Sequence, residues 1–343
     1  MPNQSMRMND SKGRLYRGRP VLVQGKSVFF GRKDTLFLLE DSRVRRIVRI
    51  PGSSPLLRLA PRLVDRLLRN EISHCLPVAG GTLLVCYRNS LYHVDPDSGR
   101  ALSSYRLKRG SRPLGIAVEN GGWVVFGEYG TLPKSESVHV LAARLPDFDF
   151  KRVFSFAPGE VKHIHNVVWD RFESCYWVLT GDLNGESGIL RLDADFRERG
   201  WLIRGSQLCR AVNVFVREGD LLYGTDSETA ENWIVKVDKR SGEITRIAPI
   251  VGSSLHCSIL GGNLLVSAAV EPSVVNLARQ CIVYRSTDGE HWEKMIEHQK
   301  DVWLSPHFQF GTHVLPKGIG AEVVAIGGQA IKGLDGRFLT VFR

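Results

Sequence analysis

The sequence has no long hydrophobic run. Nowhere do about 18 apolar residues follow one another, which is the length that a membrane-spanning helix needs. The N-terminal stretch, MPNQSMRMNDSKGRLYRGRP, is polar and lacks the apolar core of a secretory signal. These two absences predict a cytoplasmic protein that contacts a membrane, if at all, only peripherally.

The sequence has few cysteines, and none of them lie close together. The chain of 343 residues has six cysteines and no C-x-x-C motif, at Cys75, Cys86, Cys175, Cys209, Cys257 and Cys281. In a cytoplasmic chain of this size, such scattered residues indicate buried free thiols, because disulfides are rare in a reducing compartment and zinc frameworks use paired, closely spaced cysteines. The net charge of +10 is compatible with anionic substrates, nucleic acid or acidic lipid headgroups, and the absence of a recognised nucleic-acid motif makes nucleic acid the least favoured of these.

What the sequence does have is repetition. With 43% hydrophobic residues and a mean hydropathy of −0.12, it has enough apolar residues for a sizeable core. Short apolar runs such as PVLVQGKSVFFGRKD and HCLPVAGGTLLVCYRN alternate with Gly, Asp, Asn and Pro, as strands alternate with turns. Seven such units recur at roughly 40 to 50 residues, the spacing of propeller blades.

Each full unit contains four short apolar runs, which we designate strands a, b, c and d. The pattern predicts an all-β, seven-bladed β-propeller over residues 14–343, preceded by a disordered tail at residues 1–13. A β-sandwich or a six-bladed ring are the alternatives. The last unit ends at FLTVFR without a strand d, so we expect the N-terminal GRLYRG, around residues 14–18, to pair with residues near 338–342. That strand would close the ring and remove an open sheet edge.

One segment interrupts the repeat. The stretch SPLLRLAPRLVDRLLRNE, at about residues 55–70, lies between the first two units. Leucines recur at helical spacing at Leu56, Leu59, Leu63 and Leu67. Arginines follow the other face at Arg58, Arg62, Arg66 and Arg69. The pattern predicts one basic amphipathic helix that packs its leucines on the propeller and leaves its arginines in solvent. The alternative is a helix that docks on an acidic membrane or partner.

Candidate site residues come from the blade topology. In a propeller, the starts of strands a and the ends of strands b lie on the same face of the ring. His163 and His165 start strand a of the fourth unit, and Asp182 ends its strand b, so we expect these three side chains to converge. Because alternate residues of a strand point the same way, Ile164 is expected to pack between blades. Each such residue alone is more often a structural group that bonds to turn amides.

The same rule selects polar residues in the other units. The candidate catalytic residues are Glu128, Tyr129, His163, His165, Asp182 and Asp226. The candidate substrate-binding residues are Arg112, Arg210, Glu271, His307 and Gln329. A divalent metal at the histidines is an open possibility, with His256, His307 and Gln329 as further ligands, although H-x-H alone is weak evidence for a metal site.

A motif near the C-terminus resembles a known family. The segment RSTDGEHW, Arg285 to Trp292, is similar to the Asp-box of sialidases and other BNR-repeat propellers, shortened by one residue; Ser286, Asp288, Gly289 and Trp292 match. The resemblance implies a structural turn between strands c and d, away from the active site. The whole chain is similar to uncharacterised sialidase-like propellers encoded beside microbial polysaccharide genes. This implies the propeller fold and a carbohydrate ligand.

The sequence is compatible with three functions. The first is a carbohydrate-active enzyme, a glycoside hydrolase or polysaccharide lyase, that acts on an anionic glycan or glycoconjugate. Carboxylate pairs such as Glu128 with Asp182 or Asp226 would serve as acid and base, or Tyr129 or a histidine would abstract a proton. The second is a non-catalytic propeller that binds a glycan or a protein partner, for example in exopolysaccharide biosynthesis. Binding of nucleic acid is the third and least favoured.

Overall fold

The computed structural model describes residues 13–119 and 122–341. Within these residues the chain forms seven sheets arranged as the blades of a β-propeller, which confirms the predicted fold class. The tail predicted at residues 1–13 lies, apart from Gly13, outside the described residues.

The first three blades follow the order predicted from the repeats. Blade 1 comprises β2 (Arg19–Gln24), β3 (Ser27–Arg32), β4 (Thr35–Glu40) and β5 (Arg43–Arg49), after the N-terminal strand β1 (Arg14–Arg17). Blade 2 comprises β6 (Ile72–Pro77), β7 (Leu83–Tyr87), β8 (Ser90–Asp95) and β9 (Arg100–Arg106). Blade 3 comprises β10 (Ala117–Val118), β11 (Trp123–Gly127), β12 (Val138–Arg144) and β13 (Lys151–Phe156).

The next three blades have the same a-b-c-d order. Blade 4 comprises β14 (His163–Asp170), β15 (Cys175–Gly181), β16 (Gly188–Asp193) and β17 (Glu198–Arg204). Blade 5 comprises β18 (Phe215–Val216), β19 (Asp220–Gly224), β20 (Asn232–Asp238) and β21 (Ile244–Ile250). Blade 6 comprises β22 (Ser254–Leu260), β23 (Asn263–Ala268), β24 (Gln280–Ser286) and β25 (Glu293–Gln299).

Blade 7 joins the two ends of the chain, as predicted. Its strands are β26 (Thr312–Val314), β28 (Val324–Gln329), β29 (Arg337–Val341) and β1. Strand β1 pairs antiparallel with β29, with Arg14 opposite Thr340 and Tyr16 opposite Phe338. A second link crosses the same seam, because β27 (Lys317–Ile319) pairs parallel with β2 of blade 1.

The core consists of apolar layers between neighbouring blades. One layer joins blades 3 and 4 and includes Val125, Ile164 and Tyr176, and similar layers fill the other seams. Blades 4 and 5 are also joined by a buried ion pair, in which Lys239 Nζ lies 2.6 Å from the Asp170 carboxylate. This packing fixes the blades against one another, so groups at the strand ends are held on a rigid frame.

The inserted helical segment differs from the prediction in two ways. It forms two short helices, α1 (Pro55–Leu59) and α2 (Arg62–Leu67), because Pro61 interrupts the helical hydrogen bonding between them. Its faces are also reversed. The leucines point outward, with Leu56 and Leu59 80% and 85% exposed, whereas the side chain of Arg66 is 1% exposed.

The reversal has a physical cause in the partners that the propeller supplies. Arg66 forms an ion pair with Asp301 and donates from Nε to the Phe308 carbonyl at 2.7 Å. Arg62 lies 3.1 Å from Asp335. A buried arginine is tolerated only when its donors are satisfied, and these acids satisfy them. The prediction that the arginines face solvent is therefore wrong for Arg62 and Arg66.

The cysteines match the prediction in most respects. All six are free, and five are buried, whereas Cys257 is partly exposed. Within the described part of the chain, no helix has the length and apolar character needed to cross a membrane.

The segment that resembles an Asp-box forms the turn between β24 and β25, strands c and d of blade 6. Ser286 Oγ accepts hydrogen bonds from the amides of Asp288 and Gly289, and Asp288 Oδ1 accepts from those of Glu290 and His291. Turns between strands c and d lie on the opposite face of the ring from the starts of strands a. The motif is therefore a structural turn here, as the resemblance implies.

Candidate functional site

Three polar side chains converge on one face of the ring, which we call the mouth face. This face bears the connections from strand d to the next strand a and from strand b to strand c. In blade 4, a β-bulge places His165 as an extra residue between Ile164, which pairs with Thr180, and Asn166, which pairs with Leu179. Bulges redirect side chains. Ile164 packs against Gly127 of blade 3, as predicted, and both histidines turn towards Asp182.

The distances within this group are short. His163 Nε2 and His165 Nε2 are 3.1 Å apart, and each lies 3.2 Å from Asp182 Oδ1. Gly181 makes the approach possible, because a Cβ atom there would lie 2.4 Å from the His165 ring. We call His163, His165 and Asp182 the histidine cluster.

The backbone around the cluster fixes which ring nitrogens carry hydrogen. His163 Nδ1 faces the Gly130 carbonyl at 3.2 Å, and His165 Nδ1 faces the Ala211 carbonyl at 2.9 Å. A carbonyl only accepts hydrogen bonds, so each Nδ1 donates, and each neutral ring directs a lone pair from Nε2 into the cluster. When both rings are neutral, two lone pairs and a carboxylate oxygen face one another, whereas a proton on either Nε2 supplies a hydrogen bond to Asp182. Either a proton on one Nε2 or a metal ion between the three atoms satisfies this arrangement.

The geometry fits a metal ion. A metal about 2.1 Å from each of the three atoms would see them at angles of roughly 95 to 100°, between octahedral and tetrahedral values. The other carboxylate oxygen of Asp182 is bound by Lys162 Nζ at 2.6 Å, which leaves Oδ1 directed at the histidines. The cluster is the one group of histidine, cysteine and acidic residues with metal-binding spacing in the described residues.

Asp182 is also linked to further charged groups. Arg210 lies 3.2 Å from Asp182 Oδ1 and 3.2 Å from Asp226, with Glu228 at 3.3 Å. Burial opposes ionisation of Asp182, but hydrogen bonds from His163 and His165 and the charge of Arg210 outweigh it and hold its pKa far below the usual range. These surroundings therefore favour the ionised form of Asp182.

Two neighbouring acids behave in the opposite way. Burial and the nearby carboxylates raise the pKa of Asp226 well above its ordinary value, and they raise the pKa of Glu271. Asp226 Oδ1 and Glu271 Oε2 are buried and make no hydrogen bond. Burial and the charges of Asp226 and Asp182 also raise the pKa of Tyr129, which packs against His163 with its ring tilted by 54°, to about 12. This side of the mouth holds more acids than its cations neutralise.

A second group lies across the mouth and has the reverse composition. Glu71, 4% exposed, is surrounded by Arg19 at 3.3 Å, Arg112 at 3.4 Å and Arg62 at 3.5 Å. Gln329 accepts a hydrogen bond from Arg19 at 2.7 Å. Despite burial, the three arginines lower the pKa of Glu71 to about 2. We call Arg19, Arg62 and Arg112 with Glu71 the arginine cluster.

The sequence-predicted residues thus divide between two groups. The histidine cluster is accompanied by Tyr129, Arg210, Asp226 and Glu271. Arg112 belongs to the arginine cluster, and Gln329 contacts it through Arg19. Two do neither. Glu128 turns aside to accept from the His139 amide at 3.1 Å and to pair with Arg109 at 3.5 Å. His307 is exposed on α3 (Ser305–Phe308).

His256 does not join the histidine cluster. Burial and then the charge of Arg19 lower its pKa to about 3, which places it beside the arginine cluster. The metal-ligand set therefore narrows to His163, His165 and Asp182. His256, His307 and Gln329, considered from the sequence, are not part of it.

Sequence reasoning missed three members of the arginine cluster. Arg19 starts strand a of blade 1, so the rule that selected the histidines would have found it. Glu71 and Arg62 lie in the helical insertion, where no strand register applies. Lys162, which holds Asp182, directly precedes the H-x-H motif and carried no separate signal.

No protein-family model matches the sequence, and no curated protein matches it. Among solved structures, the β-propeller domain of Cps50 (Swd1) from Myceliophteria thermophila is similar, with a TM-score of 0.57 and 11% identity over 95% of this chain and 98% of that one. The extracellular domain of a B. thetaiotaomicron protein assigned as a one-component system has a TM-score of 0.58 and 10% identity, over 97% of this chain but only 39% of that one. At such low identity, these similarities show a β-propeller fold and nothing about activity.

Proposed function

We propose that the protein is a metal-dependent carbohydrate-active enzyme that acts on an anionic glycan at the mouth of the propeller. The observation that carries the proposal is the convergence of two Nε2 atoms and one carboxylate oxygen within 3.2 Å. Both Nδ1 atoms donate to backbone carbonyls, which is the usual way that proteins orient metal-binding histidines.

The donor set favours a particular class of metal. Two imidazoles and one carboxylate suit zinc, iron or another transition metal, whereas calcium and magnesium prefer oxygen ligands alone. Three protein ligands leave coordination positions for a water or a substrate oxygen. A metal so placed would polarise a substrate oxygen or activate the water.

The arginine cluster supports an anionic substrate. Three arginines surround Glu71, and although Arg62 is also paired with Asp335, their positive charge exceeds that of the two acids. Arginine forks bind carboxylate, sulfate or phosphate groups in two-point geometry. A uronate or an acidic substituent on the glycan would meet this excess of charge.

The acids beside the histidine cluster supply a proton donor. Asp226 is buried and its pKa is raised well above the ordinary value, which is the direction of shift that a general acid requires. Arg210 contacts both Asp226 and Asp182 and so fixes their relative position. The choice of a glycan, as opposed to another anion, is supported by the resemblance of the 285–292 turn to an Asp-box.

Metal content provides the first test. Purified protein is expected to bind one equivalent of Zn²⁺ or Mn²⁺ in titration calorimetry after treatment with a chelator. H163A, H165A and D182N are each expected to lower affinity by roughly 100-fold or more, because each removes one of three ligands. H298A is the matched control, since His298 pairs with His313 and has no carboxylate partner among the described contacts. Binding that H163A leaves unchanged would contradict the proposal.

Activity provides the second test. The metal-loaded protein is assayed on uronate-containing and neutral polysaccharides, by reducing ends for hydrolysis and by unsaturated uronate for elimination. The proposal expects turnover of an acidic glycan that is lost in H163A and D226N. If metal binds but no glycan is cleaved, the result contradicts the proposed enzyme activity and supports only the metal site.

One observation favours a non-catalytic alternative. His163 and His165 are 4% and 2% exposed, so only Asp182 of the cluster reaches solvent to any extent. A site this buried would suit a structural metal in a propeller that binds a glycan or protein partner without cleaving it. Tight glycan binding with no turnover would establish this alternative.

A further inference from the structure

The mouth face carries most of the exposed large hydrophobic side chains. Of 17 such residues in the described ranges, 11 lie on connections of this face. They are Leu56, Leu59, Leu67, Leu68, Leu183, Val274, Val275, Leu277, Val302, Trp303 and Leu304. The other six are spread over the outer strands and the opposite face. Contiguous exposed apolar side chains on one face indicate an interaction surface.

Ten of these residues come from three connections that are joined to one another. The 269–279 connection is linked to the 300–311 connection by a hydrogen bond from the Lys300 amide to the Arg279 carbonyl at 3.2 Å. The 300–311 connection is held to α2 by Arg66, which binds Asp301 and the Phe308 carbonyl. The three connections form a continuous arc over blades 6, 7 and 1, which we call the apolar arc.

The exposure of the arc is built into the structure. The segment from Pro55 to Leu67 has an amphipathic pattern that would allow its leucines to pack inward. Instead, Lys33 donates to the Arg58 carbonyl at 2.8 Å, Arg58 binds Asp34 at 2.7 Å, and Arg66 is buried. Polar contacts of this kind hold the arginine face inward and leave Leu56 and Leu59 directed into solvent.

Basic side chains border the arc. The connections at residues 50–71, 88–89 and 107–116 contain eight basic and two acidic residues, and both acids, Asp65 and Glu71, are buried. Arg69, Arg88 and Lys108 are exposed there. Basic residues beside exposed leucine, valine and tryptophan are typical of surfaces that bind anionic lipid, because the charges meet headgroups while the apolar side chains enter the interface.

We propose that the apolar arc docks the edge of the mouth face formed by blades 6, 7 and 1 on an anionic phospholipid bilayer. The side chains that would insert are Leu56, Leu59, Val302 and Leu304, with Trp303 at the headgroup level. They stand on separate connections of a single ring face, so they suit a planar surface. Arg69, Arg88 and Lys108 would contact the lipid phosphates. This inference does not depend on the proposed function.

Vesicle co-sedimentation tests the proposal. The full chain is mixed with vesicles of phosphatidylcholine alone and of phosphatidylcholine with phosphatidylglycerol. We expect binding to the anionic vesicles that weakens at raised salt. The variant L56S/L59S/V302S/L304S is expected to lower partitioning roughly tenfold or more, since it removes the inserting side chains.

Two further variants keep the test decisive. V44S/L102S changes exposed apolar residues on outer strands and is the matched control, expected to bind like the wild type. R69E/R88E is expected to weaken binding to anionic vesicles selectively. Melting curves verify that all variants fold.

Three outcomes would overturn the proposal. The first is a wild-type protein that does not bind anionic vesicles. The second is an equal loss of binding in the control variant. The third is a dimer, detected by light scattering, that the serine variant dissociates, which would identify the arc as a contact between two copies of the chain.

Discussion

The two sides of the mouth have opposite arrangements of charge. On one side, the carboxylate of Glu71 is surrounded by Arg19, Arg62 and Arg112. On the other, Arg210 is surrounded by the carboxylates of Asp182, Asp226 and Glu228. On each side, a single group of opposite charge, Glu71 or Arg210, holds the surrounding side chains together. One side is therefore suited to take up an anion and the other a cation.

The contrast shows what determines the ionisation of a buried acid. Glu71 and Asp226 are 4% and 3% exposed, so burial disfavours the charged form of both to a similar degree. Yet the pKa of Glu71 falls to about 2, whereas that of Asp226 rises well above its ordinary value. The difference lies in their neighbours, three arginines in one case and one arginine shared among several acids in the other.

The largest effect is expected from opening the ring next to the arginine cluster. Deletion of residues 1–18 removes β1, its pairing with β29 and the stacking of Tyr16 on Phe338, and leaves Arg19 at the new terminus. We expect a loss of more than about 5 kcal/mol, comparable to the whole stability of a domain. Denaturant unfolding measures it. Deletion of residues 1–10, which leaves β1 intact, is the control; equal stability of the two truncated proteins would show that β1 does not close the ring.

The fold was largely predictable from the sequence because it repeats. Seven units of similar length specify the blades, and the unit that lacks a strand specifies the closure by β1. The orientation of the helical insertion was not predictable. Its amphipathic pattern has two faces, and the inward one is set by Asp301 and Asp335, more than 200 residues further along the chain.

The histidine cluster was predictable for the same reason as the blades. Strand topology brings the start of β14 and the end of β15 together, and no other information was needed for His163, His165 and Asp182. Glu128 shows the limit of the rule, because a residue at a strand end can turn its side chain towards the adjacent strand, as Glu128 does towards His139. The rule could not select Glu71, because this residue does not lie in a strand.

The second largest effect is expected at Arg66 of α2, which lies next to the arginine cluster. R66A removes a buried guanidinium that binds Asp301 and the Phe308 carbonyl, so we expect a loss of about 3 to 5 kcal/mol. L59A changes an 85% exposed side chain of α1 and should alter stability by less than about 0.5 kcal/mol. If chemical denaturation ranks the two variants in the reverse order, the described orientation of the insertion is wrong.

A smaller effect separates the two sides directly. E71Q leaves three arginines without their shared anion and is expected to cost about 3 kcal/mol at neutral pH. D226N replaces an acid whose ionisation the folded protein disfavours with a neutral amide of similar shape, so we expect no loss of stability at pH 7 and some gain. Thermal and urea unfolding at pH 7 compare them. Equal losses in both variants would show that the two acids have the same charge.

The pH dependence gives the smallest and most specific effect. The pKa of Glu71 falls from 4.5 to about 2 on folding, so its contribution is fully present above pH 4.5 and is lost as the pH falls towards 2. The shift corresponds to about 3 kcal/mol. The pKa of Asp226 rises on folding, so this residue has the opposite effect: the stability that it costs is absent below pH 3.8, its ordinary pKa, and grows as the pH increases.

In urea unfolding between about pH 6 and pH 2.5, the stability difference between wild type and E71Q should therefore shrink as the pH falls. D226N, which lacks the opposing contribution, should lose stability more steeply than wild type over the same range. A constant difference between wild type and E71Q at all pH values would mean that the arginines do not hold Glu71 ionised, and the two sides of the mouth would no longer differ in the way proposed.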